Sequence, residues 1–318
     1  MNLLRKKPNK PEATALKEII DADDKQSIVN RITTLLEEYY VFPDQVNSLT
    51  RSVGSLVDQQ GWEQEILTTK FAKLLTGQLH AVVLDGHLGV VTGLPEESDD
   101  PVKQHVRELI RNEQYQVENH WGIRELKVLK NNIGYFSVDV FLEPSKIGWI
   151  IDAAMTFLKT TEALIIDLRS CGGGHGPSVN YLLSYFFDND QPTSLLETYF
   201  RPTSFSHLSL TSVTPFHYSK PVYVIVSNKT FSAAEHFAFA IQVTKRGEVV
   251  GHTTGGGAHP VMVHPLPCGL YLRIPIGRTF NPETGEDWEG RGVTPDIPVG
   301  TDKDALVELM VMLDKNPK

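Results

Sequence analysis

Long uninterrupted apolar runs set the strongest limit on what this chain can fold into. ALIIDLRS (163–170), PVYVIVS (221–227) and EVVGHTT (248–254) are bounded by turn residues and alternate with segments of helical spacing. A strand with apolar side chains on both faces must be covered on both, which points to parallel pairing with helices between the strands. IGYFSVDVF (133–141) reads as a further strand. SKIGWIIDAAMTFLKTT (145–161), PSVNYLLSYFF (177–187) and SAAEHFAFAIQVTKRG (232–247) read as helices, and Val261 to Val299 as strand and turn. The expected class is α/β.

Upstream the texture differs. Residues 1–24 are polar without a clear period and are expected to form a poorly ordered lead-in. Three helical stripes follow: Ile28, Ile32, Leu35 and Tyr39; then, after Pro43, Val46, Leu49, Val53 and Leu56; then, after Gly61, Ile66, Phe71, Leu74 and Leu75. They read as a small bundle over 25–80, with the α/β core occupying 81–318. HAVVLDGHLGVVTG (80–93) reads as a hairpin turning at Asp85-Gly86, and 101–116 returns to helical spacing.

Composition removes several function classes. A net charge of -9 repels phosphate backbones, so nucleic acid is not an expected partner. No apolar run reaches the ~18 residues of a membrane helix, and the basic N-terminus lacks an apolar signal core of about 7 residues. A cytoplasmic chain is the expectation. The 2 cysteines, Cys171 and Cys268, read as free thiols, although Cys171 abuts a glycine-rich loop and could serve as a nucleophile beside a histidine. No CxxC or HExxH occurs, and Glu235-His236 lacks a second histidine four residues on, so neither metal nor cofactor is expected.

Residues with chemical potential lie at the ends of the buried strands. Ser232 follows the 221–227 strand and a short turn at the start of a helix, where open α/β sheets place ligands and unpaired N–H groups suit a developing oxyanion. Ser232-Ala-Ala-Glu235 is also a capping box, and taken alone the motif favours a serine that merely satisfies the helix end. Gly172-Gly173-Gly174 also joins a strand to a helix, either as an anion-cradling turn or as a close packing contact. His87 follows the Asp85-Gly86 turn, and Asp287–Asp296 is a Gly/Pro-punctuated loop carrying acids; taken alone, each reads as a surface turn. Spacing alone does not bring these residues together.

In order, YVFPDQV (40–46), DGHLGV (85–90), NNIGYFSVDVF (131–141) and ALIIDLRSCGGG (163–174) resemble the tail-specific, or C-terminal processing, serine peptidases. KPVYVIVSNKTFSAAEHFAFAI (220–241), VVGHTTGGGAHP (249–260) and DWEGRGVTPDIPV (287–299) continue the resemblance. It is strongest to the subgroup of interphotoreceptor retinoid-binding protein and the tricorn-protease core. The resemblance implies a ClpP/crotonase-like spiral of ββα units behind the helical bundle, and a peptide or protein substrate; an oligomer is left open. Members with a Ser–Lys dyad carry a lysine in the glycine-rich stretch after the nucleophile's helix. Here that stretch, Thr253–Ala258, has none, and Lys245 does not match. The tricorn-like solution implies Ser232 as nucleophile, His87 as base and Glu289 orienting the base, with the Gly173 and Ala233 N–H groups as oxyanion donors.

Many processing peptidases insert a PDZ domain before the core. The 45 residues between His87 and Ile133 fall just short of the ~50 at which domains usually begin, so that module is expected to be absent. Two other functions remain open at this stage. A non-catalytic carrier of retinoid-like or fatty-acid ligands has no need of the serine, histidine and glutamate. Crotonase-like acyl-CoA chemistry shares the superfold and needs only backbone oxyanion donors.

Overall fold

The computed structural model describes residues 15–92, 109, 112–188, 190, 193–203 and 205–315. The chain forms two compact units, one of Met1–Glu96 with Val261–Ile276, the other of Glu97–Pro260 with Gly277–Lys318.

The first unit holds three helices, Ala22–Tyr39, Pro43–Gly54 and Thr68–His80. Asp21 caps the first, its carboxylate accepting the Asp24 N–H at 2.9 Å, and Pro43 opens the second. Ile28, Ile32, Leu35, Val46, Leu49 and Val53 are buried as their spacing predicts. The third stripe is corrected: Ile66–Leu67 is a strand paired antiparallel with Ile19–Ile20, and Leu74 is 48% exposed. Phe71, Leu75 and Leu79, at successive i+4 positions, face inward instead. Order also begins before residue 25, with that strand pair and the helix starting at Ala22; residues 1–14 lie outside the described ones.

The expected hairpin over 80–93 does not form. His80 ends a helix, and the Val82 and Val83 N–H groups both donate to the Leu79 carbonyl, prolonging its last turn. Gly89–Thr92 pairs antiparallel with Leu270–Pro275, which also pairs with Val261–Pro265. The strand's partner therefore lies far along the chain rather than across the Asp85-Gly86 turn.

The second unit is built on a 6-stranded sheet. Its strands, in spatial order, are Ile297–Pro298, Glu248–Gly251, Val222–Val226, Ala163–Asp167, Ile133–Val138 and Ile123–Leu129. All pairings are parallel except the last, at the Ile123–Leu129 edge. From Ile133 to Gly251 the sheet grows in one direction, each step crossing over through a helix: Pro144–Leu158, Gly176–Ser184 and Ala233–Val243. Crossovers of one hand moving one way put all their helices on one face. Leu164, Ile166, Val222, Val224 and Val226 accordingly share a core with Ile151, Leu182 and Phe237 from those helices. The alternate residues Ile165, Tyr223 and Ile225 meet Ala305 and Leu309 of the Ala305–Lys315 helix on the other face. Of the segment read as helical over 101–116, Glu113–Glu118 is a helix and most of the remainder lies outside the described residues. Among the described residues no helix is long and apolar enough to cross a membrane.

Candidate active site

One-directional growth of a parallel sheet brings the carboxyl ends of its strands to one edge, and the candidate residues of the second unit follow those ends. After Ala163–Asp167 comes Gly172-Gly173-Gly174; after Val222–Val226 comes Ser232; after Glu248–Gly251 comes Thr254–His259.

Ser232 has φ 55° and ψ −121°. An L-residue adopts this conformation at a cost of about 1–3 kcal/mol, and such residues persist where the surroundings over-determine them. The Ser232 N–H donates to the Glu235 carboxylate at 2.8 Å, so the Glu235 half of the expected capping box is present. Gly173 packs directly against this turn with φ +108°; a Cβ there would stand 2.9 Å from the Ser232 Cβ and 3.1 Å from the Ala233 nitrogen. Only glycine fits, and the contact sets the Gly173 and Ala233 backbones side by side. Among the described residues, no acceptor takes either N–H.

Ser232, Ala233 and Gly174 line a cavity of about 330 Å³ with Phe200, Trp288 and His259. Glu289 adjoins it: its Oε2 accepts the N–H groups of Ala258 at 2.6 Å and His259 at 3.2 Å, and lies 3.4 Å from His259 Nδ1. His236, one turn beyond Ser232, also lines the cavity, and burial pushes its pKa down to about 4, so the ring is neutral at neutral pH. Glu235 is fully buried. Besides the Ser232 N–H it accepts the Thr254 hydroxyl and the N–H groups of Gly256 at 2.7 Å and Gly257 at 2.8 Å. Burial pushes its pKa up, and these donors pull it back.

His87 belongs to the first unit, where it is 9% exposed and its N–H donates to Asp85 Oδ1 at 2.9 Å. Cys171 is fully buried, and desolvation raises its pKa far above the usual thiol range, which removes it as a nucleophile. Both cysteines are free. Lys245 lies beyond the far end of the Ala233–Val243 helix. Spacing alone singles out neither His259 nor the buried role of Glu235. The trace they leave in sequence is a histidine just past a triple glycine, and an acid on an otherwise apolar helix.

Strand, sharp turn, positive-φ serine and helix follow one another here in the order seen at the strand-to-helix turn of α/β hydrolases. Residues 132–299 match peptidase family S41, and the chain belongs to that family. It is 26% identical over 175 residues to the carboxy-terminal processing protease CtpB of Bacillus subtilis, across 55% of this chain and 35% of that protein. To the tail-specific protease of Haemophilus influenzae it is 24% identical over 217 residues, across 67% of this chain and 28% of that one. The chain thus spans about a third of the length of these curated relatives. In fold it is similar to a CPAF mutant, with a TM-score of 0.65 at 14% identity, covering 93% of this chain and 98% of that one.

Proposed function

We propose that this protein is a serine-type peptidase that cleaves polypeptides through an acyl-enzyme, with Ser232 as nucleophile, His87 as general base and Glu289 orienting the base. The backbone of Ser232 carries this reading: a serine held at φ 55° on a strand-to-helix turn, against a glycine that no other residue could replace. Family membership supports the reaction class.

In the first step Ser232 Oγ bonds to the scissile carbonyl carbon while its proton passes to the base. The carbonyl π-bond opens, and the resulting oxyanion is held by the Gly173 and Ala233 N–H groups, each worth on the order of 3 kcal/mol in such sites. Collapse breaks the C–N bond, and the amine leaves with the proton from the base. Water then repeats the sequence on the acyl-serine, releasing the new carboxylate. The side chain on the acyl side of the bond enters the cavity beside Ser232.

The assignment of His87 rests on the resemblance of DGHLGV to the family's histidine segment. One observation favours a second base: His259 shares Ser232's cavity and has its Nδ1 3.4 Å from Glu289. A fluorophosphonate probe, which phosphonylates an activated serine with loss of fluoride, separates the cases. Wild type labels and Ser232→Ala does not. Loss of labelling in His87→Ala with retention in His259→Ala fits the proposed base, and the reverse result transfers the role to His259. A wild type that neither labels nor cleaves any peptide at neutral pH overturns the peptidase reading.

A further inference from the structure

We propose that Glu235 is a positioning residue that locks the nucleophile's backbone and the glycine loop after it into one frame; this rests on the serine-peptidase reading of Ser232. A glutamate at the third position of a helix ordinarily reaches back to the N-cap N–H from a solvent-facing site. Glu235 does that and more. Its Oε2 accepts from the N–H groups of Ser232 and Gly257, and its Oε1 from the Gly256 N–H and the Thr254 hydroxyl. The carboxylate is fully buried, and among the described residues no lysine, arginine or histidine pairs with it. Its charge is balanced by N–H and O–H dipoles and the N-terminus of its own helix.

The partners explain why a charge is kept in such a place. The N–H that Glu235 accepts from Ser232 fixes the plane of the 231–232 peptide, while the helix fixes the backbone beyond. The strained φ of Ser232 is thereby held from both sides. The same carboxylate grips the loop at residues 254, 256 and 257, and Glu289 grips its next residues, Ala258 and His259. Nucleophile, loop and candidate acid therefore share one chain of hydrogen bonds, with Glu235 at its centre. The Thr254 hydroxyl that donates to Glu235 also accepts the Val293 N–H at 2.7 Å, which extends the frame to the segment after Glu289.

Glu235→Gln tests this, because the amide keeps the volume but turns an NH2 toward N–H donors. The fluorophosphonate labelling rate and kcat are expected to fall at least about tenfold, with KM changed by less than about twofold, because a displaced nucleophile loses rate rather than substrate affinity. Amide exchange at Gly256 and Gly257 is expected to accelerate, with cooperative unfolding retained. A Glu235→Gln enzyme that labels and turns over like wild type, even with a loosened loop, reduces Glu235 to a structural residue and overturns the proposal. A wild type that does not label at all overturns the serine reading and this proposal with it. Should Glu235→Gln fail to fold, Thr254→Val removes one donor and keeps the shape. A several-fold fall in labelling at unchanged KM then supports the proposal, and wild-type labelling overturns it.

Discussion

Holding a residue with a Cβ at φ 55° and ψ −121° stores free energy that glycine would not store, and Ser232 is held there. The strain yields a measurable difference between two variants that both lack the hydroxyl. Ser232→Ala keeps the Cβ and its strain. Ser232→Gly loses both, at the cost of extra unfolded-chain freedom of about 0.5–1 kcal/mol. The glycine variant is therefore expected to be the more stable of the two by about 1 kcal/mol in urea denaturation. An alanine variant of equal or greater stability would mean that the turn is relaxed. The placement of Ser232 between a strand and a helix was legible in the sequence because the three succeed one another within a dozen residues. Its main supporting bonds were not legible, because Gly256 and Gly257 reach Glu235 across 21 and 22 residues, by way of a strand and a second loop.

At the scale of elements, parallel strands that end at a common edge convert distant loops into one cavity wall. Residues after three different strands line the space beside Ser232, and among the described residues none of the side chains lining it is Asp, Glu, Lys or Arg. His236, neutral at neutral pH, adds no charge. An acidic side chain entering there would lose water without gaining a counter-ion, and would meet the adjoining Glu289 carboxylate. Peptides with Asp or Glu on the acyl side of the scissile bond are thus expected to show kcat/KM at least about tenfold below peptides with Leu, Met or Gln there. Efficient cleavage after aspartate or glutamate in a matched peptide panel would rule this out. The continuous apolar runs made the strands legible, since a strand buried on both faces has no polar alternation to blur it. The apolar run marks Gly89–Thr92 as a strand but does not reveal its partner. A turn signal at Asp85-Gly86 says nothing of a strand at Leu270–Pro275, and the residues before it were already hydrogen-bonded into the end of a helix.

For the molecule as a whole, two ionisable groups near Ser232 are buried in ways that oppose each other with pH. Burial lowers the pKa of His236 to about 4, so the folded chain binds fewer protons there than the unfolded chain does. Its contribution is intact above the ordinary imidazole value and is lost as pH falls toward 4. That loss amounts to about 3 kcal/mol if the unfolded ring titrates near 6.5. Glu235 has the opposite sign: its folded pKa is raised, so its contribution is fully present below the ordinary carboxyl value and declines as pH rises through the raised one. Acidification from neutrality should therefore destabilise wild type through His236 while Glu235 returns part of the loss. Urea denaturation of wild type and His236→Gln at pH 7 and near pH 4.5 separates the two. The stability of wild type relative to His236→Gln is expected to decline by about 2 kcal/mol across that interval, because only wild type carries the buried imidazole. In Glu235→Gln the acid-induced loss should be steeper than in wild type, since the compensating carboxyl is gone. Parallel pH curves for wild type and His236→Gln would show that the imidazole already takes up its proton in the folded chain, and that the cavity beside Ser232 is wetter than its lining implies.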